Sequence, residues 1–560
     1  MGGFRTLNPK NFQWISGDNT AGYIAQLFYL SDKWRFPLGA NPNFGLDLST
    51  SLIYTGPPVP LMLLQKVLRI DPSFQFIGLW LLAVIALQIF FGNLLGRTLG
   101  LTTFQCKLFA LLLVTPFFLN KFQYHFWLTS HFLLIWALWI AIRSVKNARL
   151  LTKEVLFFVI IAYLINTYLL AMSLIILSYP IVIKIFTSRK ISRNLVGHIL
   201  GILITLVSTS FVIDFRAQKA TIFESFIMNF TGQYTLYPSN LLAAINPEVG
   251  IARDCKKGHC VFGDESPPAQ IVDNFSLLNF DLGGVQGDYE GFLYLGLGIV
   301  ALVFLSIVLE LKTRGWRNTR NLFSQYRVLL IYVLSITLFA VTWKVNFGNF
   351  QLNIGDPKVI RWALSVFRAS GRFMWIIAYL LLALCVVILL RRMKTELVTV
   401  FLVLTVLIQG LDMGKPLYTR FQNLRETELI SIPLNPSTSS EFKRLALGKS
   451  TLAYYPSAGM QGWPMIPYLA WDSGLTSGML ATSRINYAQA GRTTQDLKRK
   501  ICAGTLPDSW IVAVPKSNYP VIENCARKYL SKYLVVSFFI PEVAFQKEVE
   551  IKFIINRSDG

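Results

Sequence analysis

Long apolar runs set the first limit on what this chain can fold into. A membrane-crossing helix needs about 20 mostly apolar residues, because the hydrocarbon core is roughly 30 Å thick and a helix rises about 1.5 Å per residue. Such runs stand at 74–96, 104–121, 124–142, 195–213, 291–312, 328–345, 373–390 and 396–411. Only 15% of the 560 residues are charged, against about a quarter in soluble proteins. That is too few to coat a water-facing globule of this size, so the chain reads as an α-helical polytopic membrane protein.

One further run, 155–186, would be about 48 Å long as a single helix, too long for the core without steep tilt. It carries Asn166, Thr167 and Tyr168 at its middle and Pro180 near its end. Arg143, Lys146, Arg149 and Lys153 precede it, and Lys184, Arg189, Lys190 and Arg193 close it. The positive-inside rule puts both ends in the cytoplasm, so a break near Asn166 into two short spans or a re-entrant pair is expected. Counted as two, the run brings the total to ten crossings and leaves Arg97 with Lys107, Arg314 to Arg327, and Arg391, Arg392 and Lys394 inside. This loop code absorbs part of the net charge of +23. A nucleic-acid partner, the reflex reading of such an excess, is not needed.

The outer face then comprises 1–73, 214–290, 346–372 and 412–560. Both termini fall outside although no apolar run precedes residue 74. A first span missing from the N-terminus is expected, the alternative being translocation of 1–73 by the helix at 74–96. Cys106 and Cys385 lie in spans, whereas Cys255 with Cys260 and Cys502 with Cys525 fall outside, where disulfides persist. Cys255, His259 and Cys260 also suggest a metal site, but structural zinc wants four ligands and a fourth is not evident. Disulfides are therefore expected. The sequons at Asn229, Asn274 and Asn556 are too common to mark the protein's compartment.

Three regions follow: an outer first loop, 1–73; a membrane domain, 74–411; and a soluble outer domain, 412–560. In the last, β-rich TLAYY (451–455), WIVAV (510–514), YLVVSFF (533–539) and VEIKFII (549–555) alternate with helical stretches such as TTQDLKRKICAG, predicting an α/β or α+β domain. It has no Gly-rich phosphate loop and no nucleophile elbow, so binding or positioning an acceptor is the role expected of it. The first loop mixes Gly, Pro, Asn and aromatics, and long ordered loops of this kind are usually functional.

Candidate chemistry gathers on the outer face. Asp18 stands in a loop where a carboxylate can stay ionised and accept the proton of an attacking hydroxyl; DNTAGYIAQLFYL equally reads as a capped amphipathic helix. Asp288 and Glu290, in GGVQGDYEGFLYLGLG, could hold a divalent cation, act as a second acid–base group, or form a solvated turn. Asp47 and Asp356 repeat that pattern more weakly. Arg368 and Arg372, in FRASGRFMWIIAYLLL, would share one helical face at i, i+4. Their planar forks suit phosphate, although snorkelling to lipid headgroups gives the same pattern. His125 and His131, in YHFWLTSHFLLIWALW, sit at the outer end of a span, and Asn166 and Tyr168 would line the same cavity.

The series W-x-FPLG-x-NPN-x-G (Trp34 to Gly45), S-x-IYT (Ser51 to Thr55), H-x5-HFLLIWAL, SNLLAAINP (239–247), GDYEGFLYLGLG (287–298) and FRASGRF resembles an uncharacterised bacterial membrane-protein family of the GT-C glycosyltransferase superfamily. The resemblance implies transfer of a sugar from a polyprenyl-phosphate donor on the outer face of the inner membrane to a cell-envelope glycan acceptor. It also implies Asp18 as catalytic base, Arg368 and Arg372 as donor-phosphate ligands, and the Asp288/Glu290 loop as serving acceptor or metal. INTYL stands where relatives tend to carry a His-Pro-Tyr-type sequence, so Asn166 is assigned no role. A transporter or flippase of a lipid-linked glycan is the alternative, but no inverted repeat of the kind transporters often show is visible.

Overall fold

The computed structural model describes residues 4–15, 18–49, 51–188, 192–214, 234, 237–249, 273–278, 282–283, 288–314, 327–355, 357, 364, 367–426, 436–457, 459, 461–480, 487–542 and 547–557. Two helices, α1 (Asp18–Ser31) and α2 (Val59–Val67), precede the long apolar α3 (Ile77–Leu99). There follow α4 (Thr103–Leu112), α5 (Pro116–Tyr124), α6 (Phe132–Lys146), α7 (Thr152–Ile165), α8 (Thr167–Ser188) and α9 (Arg193–Ile213). Then come α10 (Leu297–Arg314), α11 (Arg327–Val341), α12 (Met374–Arg392) and α13 (Thr395–Glu426). The chain divides into two compact units, one of 1–2, 79–207 and 230–424, the other of 3–78, 208–229 and 425–560.

The first unit is that of a multi-pass membrane protein. Among the described residues six helices are long and apolar enough to cross a bilayer, and a seventh span results if α4 and α5, bent by 59°, count as one. That is fewer than the ten expected crossings, for identifiable reasons: α7 has 14 residues, α11 has 15, and α10 carries Glu310, Lys312 and Arg314 within its 18. The α4–α5 bend has a local cause. Thr102 and Gln105 close a reciprocal capping box at the start of α4, and Pro116 at the first turn of α5 cannot continue the preceding hydrogen-bond ladder.

The run 155–186 breaks at Asn166, as its sequence predicts. Asn166 is extended (φ −162°, ψ 115°), and its Oδ1 accepts from the N–H groups of Tyr168 at 2.9 Å and Leu169 at 3.0 Å. Asn166 thus ends α7 and caps α8, while its Nδ2 donates to the Trp127 carbonyl at 3.1 Å. The last span extends further than expected, because α13 continues past 411 to Glu426.

The second unit is built on a five-stranded mixed sheet in the order Thr476–Ser477, Thr451–Tyr454, Trp510–Pro515, Lys547–Asn556, Tyr533–Glu542. All four predicted β-runs are strands, and the predicted helical stretch TTQDLKRKICAG falls largely in the helix Tyr487–Cys502. Ile501, Val512, Val514, Ile522 and Ile554 form the core between helices and sheet. A Cys502–Cys525 disulfide staples this unit. The first loop belongs to the same unit: Phe44 bridges Ser477 at the sheet edge, Gly45 N–H donates to the Ser477 carbonyl at 2.7 Å, and Trp471 Nε1 donates to Ser31 Oγ at 2.8 Å. Such ordering of a Gly- and Pro-rich loop comes from tertiary hydrogen bonds that no local periodicity announces.

Candidate functional site

Lys121, His125 and Arg372 of the membrane unit meet at Glu290. It lies in a single 3-10 turn, Asp288–Gly291, just ahead of α10, and Arg372 lies in a matching turn, Ser370–Phe373, just ahead of α12. Two glycines bring these turns together. A Cβ on Gly371 would stand 2.9 Å from the Pro238 carbonyl and 3.0 Å from Gly291 Cα, so only glycine permits this approach. The Gly371 N–H donates to the Tyr237 carbonyl at 3.0 Å, and Trp375 Nε1 to the Phe292 carbonyl at 3.1 Å, locking the pair.

Arg372 Nε then reaches Glu290 Oε2 at 3.1 Å, and Nη2 donates to the same oxygen. Lys121 Nζ is 3.7 Å from Oε2, and His125 Nε2 is 3.6 Å from Oε1. The side chains are 5% exposed for Glu290, 2% for Lys121, 11% for Arg372 and 18% for His125, so this is a largely desolvated cluster. Burial alone would raise the Glu290 pKa, but the charges of Arg372, His125 and Lys121 outweigh it and hold the carboxyl well below the usual range. Among the described residues two basic side chains, Lys121 and Arg372, face this one carboxylate. Aromatic faces flank it, with Lys121 5.4 Å from the Trp375 ring centroid and Arg372 5.1 Å from that of Tyr168.

This geometry corrects two expectations. Arg368 and Arg372 do not share a helical face, because α12 begins only at Met374 and the tight glycine turn intervenes. Arg372 is engaged with Glu290, whereas half-buried Arg368 lies 5.6 Å from the Tyr237 ring centroid. Glu290, for its part, is no solvated boundary carboxylate. Surrounded by cations, it does not suit a divalent metal, and among the described residues no group of three or more His, Cys, Asp and Glu could hold one.

His131 sits behind the cluster, fully buried against Trp375 at 4.5 Å between ring centroids, with Nδ1 3.0 Å from Tyr379 Oη. Tyr168 Oη donates to the Ala369 carbonyl, so the broken α7–α8 segment does reach the arginine turn. Asp18 opens α1, but its side chain, like that of Asp288, lies outside the described residues, as do Cys255 and Cys260. Sequence reading missed Lys121. Its signal was present: a lone lysine in the apolar PFFLNKFQY segment runs against the positive-inside bias, the same argument that singled out the arginines.

A family described as a domain of unknown function, DUF6311, matches residues 1–414. The chain belongs to this family. The matched region includes Asp18 and every member of the Glu290 cluster. No curated protein matches the chain. Among solved structures, it is similar to ArnT from Cupriavidus metallidurans in the apo state, at 11% identity over 96% of this chain and 95% of that one, with a TM-score of 0.41. The Archaeoglobus fulgidus oligosaccharyltransferase in complex with Zn and sulfate follows, at 11% identity, 99% and 71% coverage and a TM-score of 0.39. The same organism's oligosaccharyltransferase AglB, with an inhibitory peptide and a dolichol-phosphate, gives 11% identity, 99% and 72% coverage and a TM-score of 0.35.

Proposed function

We propose that this protein is a membrane glycosyltransferase that moves a sugar from a polyprenyl-phosphate carrier to a glycan acceptor at the outer face of the bacterial inner membrane. The observation that carries the reading is the desolvated cluster of Lys121, Arg372 and His125 around Glu290, set just ahead of two apolar helices. A cationic centre there suits the phosphate of a lipid whose chain lies in the bilayer. The ordered sequence motifs that resemble GT-C enzymes supply the reaction class.

In this reading Asp18 takes the proton of an acceptor hydroxyl as its oxygen attacks the anomeric carbon. The bond from that carbon to the phosphate oxygen breaks, and the bonding pair leaves with polyprenyl phosphate. Lys121 and Arg372, with Arg368 as an outer ligand, offset the charge that builds on the leaving phosphate. Direct displacement inverts the anomeric centre. Glu290 holds the cations in place, and the α/β unit positions the acceptor.

The test is sugar transfer by the full chain, purified and reconstituted in bilayers with polyprenyl-phosphate sugars. Asp18→Asn is expected to lower transfer by about 10²–10⁴-fold, while near-normal transfer rejects Asp18 as base. Movement of the lipid across the bilayer without any transferred sugar would replace the transferase with a flippase.

A further inference from the structure

Along α12 the membrane unit contains a cavity of about 620 Å3. Ile376, Leu380 and Val387 line it from one face of α12, at i, i+4 and i+11, with Tyr332 of α11 among the facing residues. From Ile376 to Arg391 the groove follows the helix for about 22 Å, at 1.5 Å per residue. Its walls are apolar apart from the Tyr179 and Tyr332 side chains, and its charged groups are Lys146 and Arg391, both exposed, at the C-terminal ends of α6 and α12. Lys146 Nζ donates to the Thr98 carbonyl near the end of α3, which holds its ammonium there. Arg391 lies 19 residues from Arg372, about 28 Å along the helical rise, so this mouth faces the opposite side of the membrane from the Glu290 cluster.

We propose that this groove is a lipid site holding one acyl chain of an anionic glycerophospholipid, with the lipid phosphate at Lys146 and Arg391. Charge complementarity selects the head: among the described residues the only charged side chains lining the slot are two basic ones at its mouth, and basic pockets between spans on the cytoplasmic side recruit anionic headgroups. Length selects the chain. A groove of about 22 Å is somewhat longer than one leaflet, about 15 Å or half the hydrocarbon core, which suits a leaflet acyl chain and is far short of a polyprenyl tail. The site is independent of the transfer reaction and would couple the packing of α6, α8, α11 and α12 to inner-leaflet composition.

The test is native mass spectrometry of the full chain released from nanodiscs of palmitoyl-oleoyl phosphatidylglycerol or of the matching phosphatidylcholine. The expected result is one tightly held phosphatidylglycerol and no comparable phosphatidylcholine. Retention should fall roughly thirtyfold in Lys146→Gln/Arg391→Gln, the loss for two basic groups near an anionic head. Filling the groove by Leu380→Trp, or by Val387→Trp if the first does not fold, should abolish it with the unfolding midpoint kept. Equal retention of both lipids, indifference to both kinds of variant, or a prenyl phosphate as the copurified ligand overturns the proposal.

Discussion

Two glutamate–arginine pairs tie α10 to α12, one at each end, and they are built differently. Each spans 82 residues of sequence, so the helices run side by side in the same direction. At the far end Arg392 grips Glu310 with Nε on Oε2 at 2.9 Å and Nη2 on Oε1 at 3.1 Å, a fork closed on both carboxylate oxygens. At the near end both Arg372 nitrogens crowd onto Oε2 of Glu290, Lys121 stands beside them, and Oε1 is turned to His125. A fork that matches two oxygens to two nitrogens is a clamp. Among the described residues the near carboxylate instead meets Lys121 and His125 as well as its arginine, the arrangement on which the proposed phosphate site rests.

The largest effect expected from this contrast is on stability. Arg372→Gln removes the hydrogen-bonded partner of desolvated Glu290, leaving it the longer contacts of Lys121 and His125, and should cost about 3–5 kcal/mol, the usual penalty for breaking a buried pair. Arg392→Gln acts on a more exposed pair and should cost about 1–3 kcal/mol. Unfolding midpoints in matched nanodiscs measure both, and equal losses would erase the distinction between the two ends. Next in size is Gly371→Ala. Its Cβ would drive the two turns apart and should cost about 1–3 kcal/mol, with transfer activity falling alongside. Gly410→Ala, in α13 where nothing lies within 4 Å, should instead stabilise by about 0.5–1 kcal/mol.

Smaller still is a pH effect. The Glu290 carboxyl is lowered in the folded state, so its contribution is fully present above the unfolded value, about 4.3. It is lost as pH falls through the lower folded value. Glu290→Gln should flatten the acid limb of a midpoint-against-pH curve, and an unchanged acid limb would assign it to other carboxylates.

Much of the architecture was legible because it is local. Span composition, the Asn166 break, the four β-runs and the Cys502–Cys525 pair all follow from short-range patterns. What stayed hidden depends on chain segments meeting far apart in sequence. Glu290 reads as a boundary carboxylate until Lys121, 169 residues earlier, and Arg372 close on it. The i, i+4 argument for Arg368 and Arg372 assumed a helix that the Gly371 turn displaces to Met374. The first loop likewise showed turn chemistry but gave no sign that Phe44 would meet the sheet edge at Ser477.

The proposed function turns on whether Lys121, beside the Glu290–Arg372 pair, makes the near cluster a phosphate site. Lys121→Gln tests it most directly, because it removes that cation and leaves the Glu290–Arg372 pair intact, converting the near end toward the clamp at the far end. The measurement is the affinity of polyprenyl phosphate for the full chain in nanodiscs, with Arg392→Gln as control. At least about a tenfold loss is expected for Lys121→Gln and none for Arg392→Gln. Wild-type affinity in Lys121→Gln, with the protein folded, would contradict it.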